Sequence, residues 1–349
     1  MAKRIFDAHC DTALRLVDPG FDPSVRSDLG HVDVPRLLEG GVGCQVFACF
    51  VSEPEQATRP VERGRELMAA VQRLQRDLRV VFPRNVAELK ALATTSDRVG
   101  ALLAIEGGEA IGDDPAALAE LKRGGVRYIT LSWNDNALGG CAFGDGRGLS
   151  PLGREMVAEM GRQRILVDVA HASDATLADI LDLVQTPVIA SHANARALCD
   201  TPRNLSDAQL RRLADRGGVV GVFFVAGFLT EAAKQREAPL IAQYHELTRR
   251  DPEAAKRFLE RADAEPTPAP SPPLDAVADQ IAHLIDVVGV GGVGFGGDFD
   301  GFKRGPSGLR DCRDYPAVIE LLRGRGLGAA TLDQLCWDNW QRVFAWTFG

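Results

Sequence analysis

The sequence lacks a long apolar run: nothing in its 349 residues reaches the roughly 18 consecutive apolar positions that suggest a membrane-spanning helix. It also lacks a basic excess. Lys and Arg number 40 against 48 Asp and Glu, a formal net charge of −8, which argues against a nucleic-acid or anionic-membrane partner. No CxxC pair occurs, and the seven cysteines (10, 44, 49, 141, 199, 312 and 336) are odd in number and irregularly spaced. They read as reduced thiols of a cytoplasmic protein, packed as small hydrophobes. The basic start Met1-Ala2-Lys3-Arg4 runs straight into Ile5-Phe6-Asp7-Ala8-His9 without the apolar stretch of a secretion signal. No internal repeat with a fixed period is visible. What remains is an ordinary soluble mix, 45% hydrophobic and 25% charged. A chain of this length buries enough apolar surface to fold without a disulfide or structural metal.

Eight short β-rich runs alternate with helical patterns: 4–9, 42–50, 99–105, 126–132, 165–170, 187–191, 218–225 and 292–297. Most are continuously apolar, as expected of parallel strands covered on both faces. Helical spacing of Leu67, Val71, Leu74 and Leu78 predicts a helix over 61–78. Asp113-Asp114-Pro115 opens another over 115–123, and Ser173 is the expected N-cap of a third over 174–184. The rhythm predicts an α/β fold, a (β/α)8 TIM-like barrel forming one domain over 1–349, with insertions after strands 2 and 7. The first insertion, 52–98, holds more than one helix. The second, 228–275, is charged and helical over 242–263 and ends in a Pro-rich extended run; it is read as a lid over an active site, against the alternative of a surface decoration.

The chemistry-bearing residues follow the apolar strands. His9 and Asp11 close the first, Glu106 the third, Asp168 and His171 the fifth, His192 the sixth, and Asp298 and Asp300 the eighth. In a barrel these ends converge on the face that carries active sites. On an extended chain His9 and Asp11 point to one side and Cys10 to the other. Three imidazoles with several carboxylates suit Zn²⁺ or a similar divalent ion. His31, His245 and His283 fall in loops or helices and read as structural or solvated. Asp7 and Asp168 have the option of bonding nearby backbone or a ligand imidazole, and Asp300 reads as structural.

His9-x-Asp11, Ile105-Glu106-Gly107-Gly108-Glu109, Asp168-Val169-Ala170-His171, Ser191-His192 with Arg203-Asn204 and Gly296-Gly297-Asp298-Phe299-Asp300-Gly301 resemble, in this order, the renal (membrane) dipeptidase family of zinc peptidases. Gly308-Leu309, Tyr315-Pro316, Asn339 and Arg342-Val343-Phe344 extend the resemblance over residues 5 to 344. It implies two zinc ions per chain, with His9 and Asp11 on one, His171 and His192 on the other, and Glu106 bridging both. It further implies that Asp298 takes a proton from a bridging water and hands it to the leaving amine, that Arg203 holds the substrate's C-terminal carboxylate, and that the protein is a homodimer. Asp298 as a zinc ligand or an orienting group, and Arg203 as a surface ion pair, remain alternatives.

One segment departs from the family. In Leu131-Ser132-Trp133-Asn134-Asp135-Asn136, Trp133 stands where many members carry a histidine that hydrogen-bonds the developing oxyanion. An indole N–H offers one uncharged donor, and Asn134 and Asn136 are further candidates; alternatively Trp133 packs at the barrel rim. The expected function is metal-dependent hydrolysis of small dipeptides, L-Xaa-D-Xaa among them. The alternatives are a related amidohydrolase acting on another small amide or ester, and a catalytically impaired barrel serving as a binding subunit.

Overall fold

In a computed structural model of the chain, residues 3–51, 58–251, 254–255, 257–258 and 271–349 are described. Nine parallel strands form one sheet: β1 (Ile5–Cys10), β2 (Val42–Phe50), β3 (Val80–Val81), β4 (Val99–Glu106), β5 (Val126–Thr130), β6 (Leu166–Asp168), β7 (Val188–Ile189), β8 (Val220–Val222) and β9 (Val293–Phe295). Their order is β7-β6-β5-β4-β2-β1-β9-β8, and a parallel bridge between Ala190 and Val220 closes the ring. All eight expected strands form the predicted (β/α)8 barrel. The ninth, β3, lies beside the first two residues of β4, inside the first insertion. Two residues carry no periodicity, so the sequence pattern did not show it. The later strands are shorter than their apolar runs, because apolarity follows burial and not ladder pairing. Val169 and Ala170, for example, are buried beyond the end of β6.

Two apolar clusters divide the core. Alternate strand positions (Phe6, Ala8, Val46, Leu102, Ala104, Tyr128, Leu166 and Ile189) fill the barrel together with Trp337, Trp340 and Phe344 from the C-terminal segment. Phe6 lies near the start of β1 and packs on Trp337 (5.4 Å) and Phe344 (5.0 Å), so these rings close the amino-terminal end of the barrel. The larger cluster lies between the strands and the surrounding helices. All seven cysteines are buried and unpaired, as expected.

Helices form at Pro60–Gln72, Ala117–Arg123 and Asp174–Leu183, close to the predicted ranges. The Ser173 side chain accepts the Thr176 N–H, the cap expected of it. In the second insertion a helix runs over Glu231–Arg250, capped by Thr230 and crossing Pro239. Most of the Pro-rich run lies outside the described residues. At its end Pro272 O accepts the Ser307 N–H at 2.8 Å, and Pro273 forms a parallel bridge with Ser307. Among the described residues, no helix is long and apolar enough to cross a membrane.

Candidate active site

The placement of His9 and Asp11 depends on an irregularity in β1. Phe6 and Ala8 face the barrel interior while Cys10 joins the outer core, and the register with β2 slips between Asp7 and Cys10. Such a slip re-aims a side chain at the end of a strand, and His9 and Asp11 both turn into the mouth. The chain after β9 zips against them: Asp298 N donates to His9 O (3.1 Å) and Asp11 N to Phe299 O (2.8 Å). Asp7 stays outside the mouth and joins β1 to β9. Its carboxylate accepts from His9 N (3.1 Å), Gly297 N (2.9 Å) and Tyr315 Oη (2.8 Å).

Glu106, at the end of β4, lies between two groups of donors. Its Oε2 is 3.4 Å from His9 Nε2, and its Oε1 is 3.2 Å from His171 Nε2 and 3.5 Å from His192 Nε2. Asp11 Oδ2 and Asp298 Oδ1 each lie 3.8 Å from His9 Nε2, and the Nε2 atoms of His171 and His192 are 3.0 Å apart. These side chains make three overlapping groups able to hold a metal ion: His9–Asp11–Glu106, Glu106–His171–His192 and His9–His192–Asp298.

The imidazole orientations are set from behind. Tyr128 Oη donates to Ala8 O (2.9 Å), so its oxygen accepts from His9 Nδ1 at 2.8 Å. Ser191 Oγ donates to the Asp168 carboxylate (2.6 Å) and accepts from His192 Nδ1 at 2.8 Å. Asp168 is held in turn by Thr130 Oγ1 (2.5 Å) and by the Ser191 and Ala170 N–H groups (2.7 and 3.1 Å). Both rings thus spend their Nδ1 proton away from the mouth and aim Nε2 into it, the arrangement a ligating histidine needs. Tyr128→Phe is expected to leave the fold intact and weaken metal binding about 10- to 100-fold. Competition titration of metal-free protein against a chelator checks this, and unchanged affinity would mean that Tyr128 only fills the barrel.

The backbone is strained at the site. Among the described residues, only Arg164, His171, Asp298 and Asp300 combine a side chain with positive φ; three of the four are here, His171 at 64°, Asp298 at 62° and Asp300 at 69°. Asp300 holds its turn by accepting from Thr12 Oγ1 (2.6 Å), Arg15 Nε (3.0 Å) and His31 N (2.7 Å), while its own N–H donates to His31 Nδ1 (2.9 Å). The structural readings of Asp300 and His31 therefore agree with their contacts. His283 likewise pairs with Asp207 (2.8 Å), and the His245 side chain lies outside the described residues. A Cβ at Gly301 would stand 2.2 Å from Asp11 Oδ2 and 2.3 Å from Asp298 Oδ1, so any larger residue there would displace both carboxylates.

The donor set fits divalent cations. His9 Nε2, Asp11 Oδ1 and Glu106 Oε1 are buried without a hydrogen-bond partner, as atoms awaiting a cation would be. Burial, then Arg203, lowers the His171 pKa to about 3, and burial holds His192 well below the usual histidine range, so both rings are neutral. Burial opposes charge on Glu106, but His9 and His171 outweigh it and keep the carboxyl well below the usual carboxylate range. Asp298 is the opposite case. Burial, reinforced by the neighbouring Asp11 charge, raises it well above that range.

A cavity of about 450 Å³ opens over these groups, lined by Asp11, Glu106, His171, Arg203 and Asp298 together with Trp133 and several phenylalanines. Arg203 is buried, only 2% exposed, which excludes the surface ion pair. Its Nη2 donates to His192 O (2.9 Å), its Nη1 is buried without a partner, and its Cζ lies 4.9 Å over the Phe223 ring. Trp133 tilts between Phe50 (4.8 Å) and His171 (5.9 Å). Asn134 is not among the residues lining the cavity. Asn136 is committed to the turn, donating to Leu131 O (2.8 Å) and accepting from Leu138 N (2.9 Å).

Buried imidazoles and carboxylates at the carboxyl-terminal mouth of a parallel barrel are the architecture of a metal-dependent hydrolase. The model of the membrane dipeptidase family (peptidase family M19) matches residues 2–347. An uncharacterized dipeptidase of Schizosaccharomyces pombe is 31% identical over 325 residues, covering 88% of this chain and 68% of its own. Dipeptidase tcpJ of Claviceps purpurea is 30% identical over 345 residues, covering 94% of this chain and 71% of its own. A metallo peptidase from Rhodobacter sphaeroides, solved with a phosphinate mimic of the dipeptide L-Ala-D-Ala, superposes with a TM-score of 0.83 at 25% identity, covering 99% of this chain and all of that one. The chain belongs to the membrane dipeptidase family, and its enzyme class is metal-dependent dipeptidase.

Proposed function

We propose that the enzyme hydrolyses small dipeptides, L-Xaa-D-Xaa among them, with two zinc ions: His9 and Asp11 hold one, His171 and His192 the other, and Glu106 bridges them. The observation that carries this reading is Glu106, whose two oxygens address separate imidazole groups, His9 on one side and His171 with His192 on the other. When bound, the ions supply the Lewis acidity that polarises the scissile carbonyl and acidifies water at neutral pH.

The remaining steps belong to the chain. Asp298, raised toward the protonated form by burial and by Asp11, is suited to hold the proton taken from water and release it to the leaving amine. Arg203 has an unpartnered Nη1 in the cavity wall and presents it to the substrate's C-terminal carboxylate. Trp133 forms the wall beside His171. Leu240, Tyr244 and Phe258 of the second insertion line the same cavity, which supports the reading of this segment as a lid.

Two measurements test the proposal. Chelator-stripped protein should release amino acids from L,L- and L,D-dipeptides only after Zn²⁺ is restored, whereas cleavage confined to other amides or esters would favour the amidohydrolase alternative. Arg203→Ala should raise KM for free dipeptides by about 10²-fold, the loss of a charge-assisted bond, and affect C-terminally amidated analogues far less. Equal effects on both would remove Arg203 from carboxylate recognition.

A further inference from the structure

We propose that this cavity selects dipeptides whose C-terminal residue carries a large apolar side chain, aromatic ones above all. The inference rests on the reading of Arg203 as the carboxylate clamp. A dipeptide's C-terminal side chain branches from the same carbon as its carboxylate, so a carboxylate fixed on Arg203 fixes the surface that the side chain meets.

That surface is aromatic. The Phe223 ring lies under Arg203 at 4.9 Å, and Phe228 stacks on it at 5.6 Å with an interplanar angle of 24°. Phe143 continues the row, 6.3 Å from Phe228 and tilted by 30°. All three line the cavity, and the second insertion adds Leu240, Tyr244 and Phe258 to its wall. Phe223 also meets the His192 ring edge-on at 5.9 Å, so the row begins beside this imidazole. The cavity, about 450 Å³, is of small-ligand size. A C-terminal glycine or alanine would leave Phe143 and Phe228, the half-buried members of the row, in contact with water, whereas an aromatic or leucine side chain would cover them. Ring-on-ring packing adds to the gain from buried area.

The test is a substrate series on the zinc-reconstituted enzyme: L-Ala-Xaa with Xaa glycine, alanine, leucine or phenylalanine, the last three in both L and D forms. In at least one enantiomeric series, kcat/KM should rise with side-chain size and exceed that for L-Ala-Gly by about 10- to 100-fold at phenylalanine. In Phe228→Ala and Phe143→Ala the ratio between the phenylalanine and glycine substrates should shrink several-fold, mainly through KM. A series that is flat or falls with size while L-Ala-Gly is cleaved would overturn the inference and leave the dipeptidase reading standing. An unchanged ratio in folded, metal-loaded variants would also overturn it. Absence of cleavage across the series would overturn both together.

Discussion

Asp298→Asn is expected to retain its metal and lose about 10²- to 10⁴-fold in kcat, the usual contribution of a positioned acid–base group. The substitution isolates the proton. Asparagine has nearly the shape of aspartate and tolerates the left-handed backbone found here, φ 62°. The backbone N–H that donates to His9 O is unaffected. What disappears is an ionisable carboxyl, which burial and the neighbouring Asp11 charge raise in the metal-free site. Metal content and steady-state rates on one dipeptide, measured on the same preparation, decide between roles. Full metal with a low kcat supports the proton carrier, loss of metal makes Asp298 a ligand, and a wild-type rate moves the proton transfer to another group.

The second large effect concerns Glu106. Glu106→Ala removes the carboxylate shared by the two proposed zinc positions, so bound metal should fall at both and dipeptide turnover should drop to background. The loss of affinity should exceed the about 10- to 100-fold that removal of an outer hydrogen-bond partner costs. His192→Ala is the comparison. It leaves His9, Asp11 and Glu106 in place, so one ion should persist where Glu106→Ala keeps neither. Metal analysis after dialysis reads the difference directly. Identical retention in the two variants would contradict a shared carboxylate.

The sequence made the barrel legible because parallel strands covered on both faces read as apolar runs, and because the polar residues that follow them fall at one mouth. His9, Asp11, Glu106, His171, His192 and Asp298 were visible in this way, Arg203 only through the family resemblance, and the structure brings all seven together. Of their supporting groups, Asp168 was offered by its place at a strand end, but Tyr128 and Ser191 were not. Tyr128 meets His9 across 119 positions of chain, and a tyrosine in an apolar strand looks like core until its hydroxyl is seen to point at a ring nitrogen. Ser191 is adjacent to His192, but its role appears only once Asp168 is seen to accept its hydroxyl hydrogen bond. The left-handed turns at His171, Asp298 and Asp300 have no signature beyond residue types that tolerate them. Phe143, Phe223 and Phe228 escaped because an aromatic facing a cavity and one filling a core have the same pattern. Asn134 has a donor amide beside Trp133, yet it is not among the residues lining the cavity.

The most direct test of the account is to titrate metal-free enzyme with Zn²⁺ while following bound metal and dipeptide hydrolysis in the same sample. Two ions sharing Glu106 predict activity that rises to a plateau at two equivalents per chain, with Glu106→Ala inactive throughout. A plateau at one equivalent, or full activity without metal, would contradict it.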